Sequence, residues 1–156
     1  MDRDAHQRLE HLLDREIEAA RSLASALEAE RTALTGESVE AVKTVAARKI
    51  ELFGLIEALG RQRTDTCAAA HVTLPQIQSG RVPVIAGVSA AIADRWLALL
   101  DLMSGCRIAN EINGYIINAR RGHVTQLLQI MRGGTPVTYG PQGRTRSSPL
   151  RELARA

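Results

Sequence analysis

Aromatic side chains are nearly missing from this chain: of 156 residues only Phe53, Trp96, Tyr115 and Tyr139 carry a ring, 3% of the sequence. The bulky anchors that fill the centre of a compact globule are therefore scarce, and thin packing between helices is favoured. The apolar 45% is mostly Ala and Leu rather than the Val, Tyr, Phe and Trp that strands prefer, which makes an all-β fold a poor fit. Cysteine is equally sparse. Cys67 and Cys106, 39 residues apart and with His71 outside any ligand spacing, form neither a disulfide framework nor a metal site and read as small buried hydrophobes. No long apolar run is present either: the cleanest, Val82 to Ala93, is twelve residues interrupted by Pro83 and Gly87. A bilayer span needs about 20 apolar residues, so no membrane insertion, no leader segment and a reducing cytoplasm are expected. Phosphate-binding Gly-rich loops, His-Glu-x-x-His and Gly-x-Ser-x-Gly are missing, and His6, His11, His71 and His123 show no ligand spacing. Neither an enzyme nor a cofactor is expected.

Charge is what the chain has in quantity, and its location matters more than its sum of +3. Residues 133–156 hold Arg144, Arg146, Arg151 and Arg155 against Glu152 alone, so the whole excess resides there. Within the rest, residues 1–60 carry 8 basic and 12 acidic groups and residues 61–132 carry 8 and 4. The two halves attract each other as stacked helices would, and no dense Lys/Arg stripe is left for phosphates. A basic helical nucleic-acid binder using the tail is thus a weaker reading, which requires salt-sensitive binding to duplex DNA. A structural coiled-coil adaptor subunit is the other alternative; it requires a stable homo-oligomer.

Helical periodicity organises most of the sequence. Leu9, Leu13, Ala20, Leu23, Leu27 and Leu34, widened by Leu12 and Ile17, mark one face of a helix over about 4–34. Gly36 is placed to end it in the left-handed conformation, with a turn at Gly36-Glu37-Ser38. Ser38 can cap a second helix over about 38–70, in which Val42, Val45, Leu52, Ile56 and Leu59 repeat the spacing; Gly60 is a possible earlier stop. Pro75, Gly80 and Pro83 place a connection in the stretch that follows. A third helix over about 85–131 carries the row Ile92, Trp96, Leu99, Met103, Cys106, Asn110, Asn113, Ile117, Val124 and Leu128. That row runs straight through Asn113-Gly114, which speaks against a hairpin turn at the dipeptide. The expected fold is all-α, an elongated antiparallel three-helix, coiled-coil-like bundle over 1–132 with a flexible basic tail over 133–156.

Polar residues interrupt the stripes at a few points. Glu16 and Glu30 lie beside the first apolar face, yet Glu30 and Lys49 do not align across a tight turn, so a solvated glutamate is expected over an ion pair. Asn110 and Asn113 sit three residues apart on one face beside Gly114. They suit a register-fixing polar pair with Gly114 allowing close helix approach; the alternative is a pair of amides that bind a partner segment. Tyr139 is the one aromatic in the tail, where no core accounts for it, and is a candidate docking residue.

Taken in order, Glu30, Leu34 and Lys49, then Trp96, then Asn110-Glu111-Ile112-Asn113-Gly114-Tyr115-Ile116-Ile117, then Tyr139-Gly140-Pro141-Gln142-Gly143, the chain resembles the FlgN family of flagellar type III export chaperones. The resemblance implies a cytoplasmic chaperone without enzymatic activity. Its cargo would be the C-terminal helical region of hook-associated proteins of the FlgK and FlgL types, held unpolymerised. It also implies a cargo face on the third helix, here Trp96, Leu99, Met103, Asn110, Asn113, Gly114 and Ile117. Docking on the cytosolic domain of the gate protein FlhA would fall to the tail at Tyr139, Gly140 and Gly143, with the export ATPase complex as a further partner.

Overall fold

A computed structural model describes residues 3–36, 38–74 and 88–132. Glu37 of the expected turn, the connection through Pro75, Gly80 and Pro83, the expected helix start at 85, and the tail with Tyr139, Gly140 and Gly143 lie outside the described residues. Three α-helices make up the fold: α1 (Arg3–Thr35), α2 (Val39–Ala69) and α3 (Ala90–Met131), with no strand among the described residues. The chain divides into two compact units, Met1–Ile116 and Ile117–Ala156.

In the first unit α2 runs antiparallel to both neighbours while α1 and α3 run parallel. The directions follow from the pairs: Glu16 meets Arg63 and Glu30 meets Lys49, whereas Asp14 meets Arg95 and Leu27 meets Asn113. The apolar face read from α1 is the centre of the core. Leu9, Leu13, Ile17 and Ala20 pack with Cys67 of α2 and with Ile92, Trp96 and Leu99 of α3. One stretch further along, Leu23, Ala26 and Leu27 pack with Leu52 and Cys106, while Leu12, Ala19 and Leu59 close the outer α1–α2 seam. Small residues on α1 let the helices approach, and Leu and Ile fill what the missing aromatics leave.

The helix ends differ from expectation in three places. Gly36 stays outside the left-handed region. The end of α1 is finished instead by the Thr35 hydroxyl, which reaches the carbonyls of Arg31 and Thr32 at 3.2 and 3.0 Å. The left-handed residue closes α2: helix geometry continues through Gly60 to Ala69, and His71 takes φ 54°. There the Val72 N–H bonds the Cys67 carbonyl at 2.9 Å and the His71 N–H bonds that of Ala68 at 3.2 Å, the paired bonds of a Schellman ending. Since a side chain in this conformation is strained, His71→Gly is expected to raise stability by about 1 kcal/mol, read as a higher urea midpoint. Third, α3 begins at Ala90, with Val88 and Ser89 outside the helix, because Ser89 is its cap: the Ser89 hydroxyl accepts from the Ile92 N–H at 3.2 Å. Ser38 caps α2 as expected, accepting from the Ala41 N–H at 3.2 Å.

The three-helix bundle expected over 1–132 divides at Ile116, because packing on α3 stops there. Asn113 is buried, yet every residue from 117 to 132 is exposed although the helix itself continues to Met131.

Candidate partner-binding helix and the polar layers behind it

Two polar layers cross the apolar core, and each collects one side chain or more from every helix. In the first, Arg63 of α2 donates from Nε to Glu16 Oε2 of α1 at 2.8 Å and lays its guanidinium over the Trp96 ring of α3, 4.5 Å from the ring centre. Glu16 is only 2% exposed. Gly60 leaves room for it, since a Cβ there would lie 3.4 Å from Glu16 Oε1. Burial pushes the Glu16 carboxyl above its ordinary pKa, while the hydrogen bond and charge of Arg63 pull the other way. Burial likewise raises the Cys67 thiol nearby, and the Cys106 thiol further along. Both cysteines are free and buried, as their isolation in the sequence suggests.

In the second layer Lys49 of α2 donates to Glu30 Oε1 at 2.5 Å and to Asn110 Oδ1 at 3.3 Å. Asn113 donates from Nδ2 to the Leu27 carbonyl at 2.8 Å and to Glu30 Oε2 at 2.9 Å, and its own Oδ1 accepts from Arg31 Nε at 3.5 Å. The solvated Glu30 expected from the sequence is thus corrected to a buried, paired one, 3% exposed. The reason is register. Both ion pairs are symmetric about the Val39–Glu40 peptide, whereas the break between α1 and α2 falls at 36–38, so the first turn of α2 projects past the end of α1. A tight turn would have set Lys49 too far along; the overhang brings it level with Glu30. Among the described residues, no buried side-chain nitrogen or oxygen lacks a partner.

These layers decide where the predicted site residues stand. Trp96, Leu99 and Asn113 are core residues, buried against α1 and α2. Met103 is half-buried against the same core, and Asn110 is exposed but holds Lys49. Gly114 meets open space, since a Cβ there would find nothing within 4 Å, so it serves no close approach. Ile117 is exposed. The seven residues therefore form no single surface: those up to Asn113 are mostly committed inside the bundle. What the sequence reading left out is the pairing role of Arg63, whose position opposite Glu16 needs the register, and the run of exposed apolar residues at the end of α3. Val124 at 55%, Leu127 at 47%, Leu128 at 46% and Met131 at 82% exposure head that run. Its signal was the periodic row itself, which continues past the last buried position. Among the described residues no group of three or more His, Cys, Asp or Glu is placed to hold a metal ion, and no helix is long and apolar enough to cross a membrane.

A long α3 with a buried seam up to Asn113 and exposed apolar side chains beyond it belongs to an all-helical protein among the described residues. The FlgN protein family model matches residues 1–147, and the chain belongs to that family. It is similar to a flagella synthesis protein FlgN of Yersinia enterocolitica serotype O:8, 26% identical over 148 residues, covering 92% of this chain and 93% of that protein. A second FlgN of Yersinia enterocolitica is 28% identical over 127 residues, covering 73% of this chain and 86% of that protein. No solved structure matches.

Proposed function

We propose that the chain is a cytoplasmic flagellar export chaperone that binds the C-terminal helical region of hook-associated proteins of the FlgK and FlgL types and delivers them to the export gate. Membership of the FlgN family over residues 1–147 carries this reading. The bare apolar end of α3 supports it, because a chaperone for helices that would otherwise polymerise has to offer apolar surface in a helix-in-groove mode. Burial at roughly 25 cal/mol per Å² of apolar area, less the ordering costs, gives reversible binding rather than a permanent complex. In this reading the chain binds and releases and performs no catalysis. Gate docking on the cytosolic domain of FlhA is assigned to Tyr139 with Gly140 and Gly143, on the resemblance of that segment alone, and the export ATPase complex is a further partner.

The test is co-purification of the full chain with purified C-terminal fragments of hook-associated proteins and, separately, with the cytosolic domain of FlhA. Both should bind. Tyr139→Ala should weaken the FlhA interaction at least about tenfold and leave fragment binding unchanged, in keeping with one aromatic anchor. Loss of fragment binding with intact gate binding would refute the division of labour. Failure of every fragment to bind would overturn the named cargo.

A further inference from the structure

The buried carboxylates of the bundle both find their counter-charges within the hairpin formed by α1 and α2. Glu16 meets Arg63 at 2.8 Å and Glu30 meets Lys49 at 2.5 Å, each pair joining α1 to α2. To these layers α3 adds neutral groups: the Trp96 ring under Arg63, the Asn110 amide oxygen on Lys49, and the Asn113 amide on Glu30 and on the Leu27 carbonyl. Among the described residues no charged side chain of α3 is buried, and the Arg95–Asp14 pair that crosses to α1 lies at the surface, with Asp14 55% exposed. The hairpin also has apolar packing of its own. Leu12, Ala19 and Leu59 form a cluster without any buried residue of α3, and Leu23 and Leu27 meet Leu52. On its side α3 is held by Ile92, Trp96 and Leu99 near its start, and further on by the smaller Cys106 and the polar Asn113.

We propose that the seam of α3 from Ile92 to Asn113 undocks as a unit from an α1–α2 hairpin that stays closed, so that the native chain opens here before it unfolds. Lifting α3 away admits water to both polar layers with their ion pairs intact, and no charge is left buried and unpaired, the outcome that makes breaking such a layer costly. Separating α1 from α2 instead breaks both pairs and the Leu12–Leu59 packing at once. The contact with α3 is therefore the weaker of the two, and sub-global opening follows the weaker contact. The exposed Arg95–Asp14 pair adds little to it. Opening bares one face of the hairpin, with Leu9, Leu13, Ile17 and Ala20, and turns Trp96 and Cys106 of α3 out to water. This device belongs to the free chain and stands apart from the cargo proposed above.

The full chain carries its own reporter, since Cys106 is a free thiol buried on the hairpin-facing side of α3. Its labelling by N-ethylmaleimide, located by mass spectrometry and measured where the rate is proportional to reagent, reads the undocking. Amide hydrogen exchange over Leu12–Leu27 of α1 and Leu52–Arg63 of α2 reads separation of the hairpin. In the wild-type chain Cys106 should be protected at least about tenfold less than the hairpin amides, each against its unstructured rate. Its labelling should also depend less steeply on urea than global unfolding does, because less surface is exposed. Leu59→Ala acts inside the hairpin: it should speed hairpin exchange about thirtyfold or more and leave Cys106 labelling unchanged. Asn113→Ala should speed both about tenfold, since its bonds to the hairpin are lost in either opening. Equal protection of Cys106 and the hairpin amides in the wild-type chain would overturn the proposal, and that comparison decides alone if Leu59→Ala fails to fold. Cys106 labelling that Leu59→Ala accelerates as much as hairpin exchange, or that Asn113→Ala leaves unchanged, would overturn it too. None of these outcomes bears on whether a hook-associated fragment binds, so this inference and the proposed function fail separately.

Discussion

Lys49→Met should cost about 3 kcal/mol of folding stability, measured as a drop in the urea midpoint, although the substitution is nearly isosteric. Glu30 is 3% exposed, and among the described residues Lys49, at 2.5 Å, is its one cationic partner; without it a carboxylate stays buried beside the Asn113 amide. Removing one member of a buried pair leaves the desolvation cost of the other uncompensated, which is why the single substitution is expensive. The double substitution Glu30→Met/Lys49→Met should recover most of the loss, because two apolar chains of similar volume then fill the same space. Asn113 keeps the Leu27 carbonyl as an acceptor at 2.8 Å in that variant. A cost below about 1 kcal/mol for Lys49→Met would mean that water reaches Glu30, and the layer would then contribute little. A double variant as unstable as the single would place the loss in packing rather than in charge.

The same layer marks the limit of what the sequence alone conveys. The face of α1 is legible because Leu9, Leu13, Ala20, Leu23 and Leu27 are buried for the reason that spaces them: one helix side meets both neighbours. The caps Ser38 and Ser89 obey local chemistry, and only the apolar run before Ser89 hides the second of them. Register is another matter. Whether Lys49 meets Glu30 depends on how far α2 projects beyond Thr35, a property of the turn's path that no periodicity encodes. On α3 the difficulty is the reverse. The helical row is correct from Ile92 to Leu128, but a row says which side of a helix is apolar and not what covers it. Hence Leu99 and Asn113, singled out as partner contacts, are core, while Val124 and Leu127, further along the same side, are bare. Membership of the FlgN family was legible in the segments from Asn110 to Ile117 and from Tyr139 to Gly143, since a motif needs order along the chain and no knowledge of burial.

The first layer should respond to pH in a way that separates its charge from its packing. Arg63→Met removes both the 2.8 Å hydrogen bond to Glu16 and the cation over Trp96, and about 3 kcal/mol should be lost at neutral pH. Burial already holds the Glu16 carboxyl above its ordinary value, and removing Arg63, which pulls it down, raises it further. In the unfolded chain a glutamate titrates near about 4.3. Between that value and the higher native one, the folded protein holds a proton that the unfolded chain has released. The contribution of Glu16 therefore favours folding fully below the unfolded value and is lost as pH rises through the native value. In Arg63→Met the deficit should accordingly shrink on acidification toward the ordinary carboxylate range, as Glu16 takes up its proton and ceases to be a buried charge. Glu16→Gln supplies the reference: the wild-type chain, compared with it by urea unfolding across acidic to neutral pH, should lose relative stability as pH rises. An advantage that grows with pH would show that Arg63 outweighs burial at this carboxylate. A deficit in Arg63→Met that is the same at every pH would assign the whole loss to the vacated space beside Trp96.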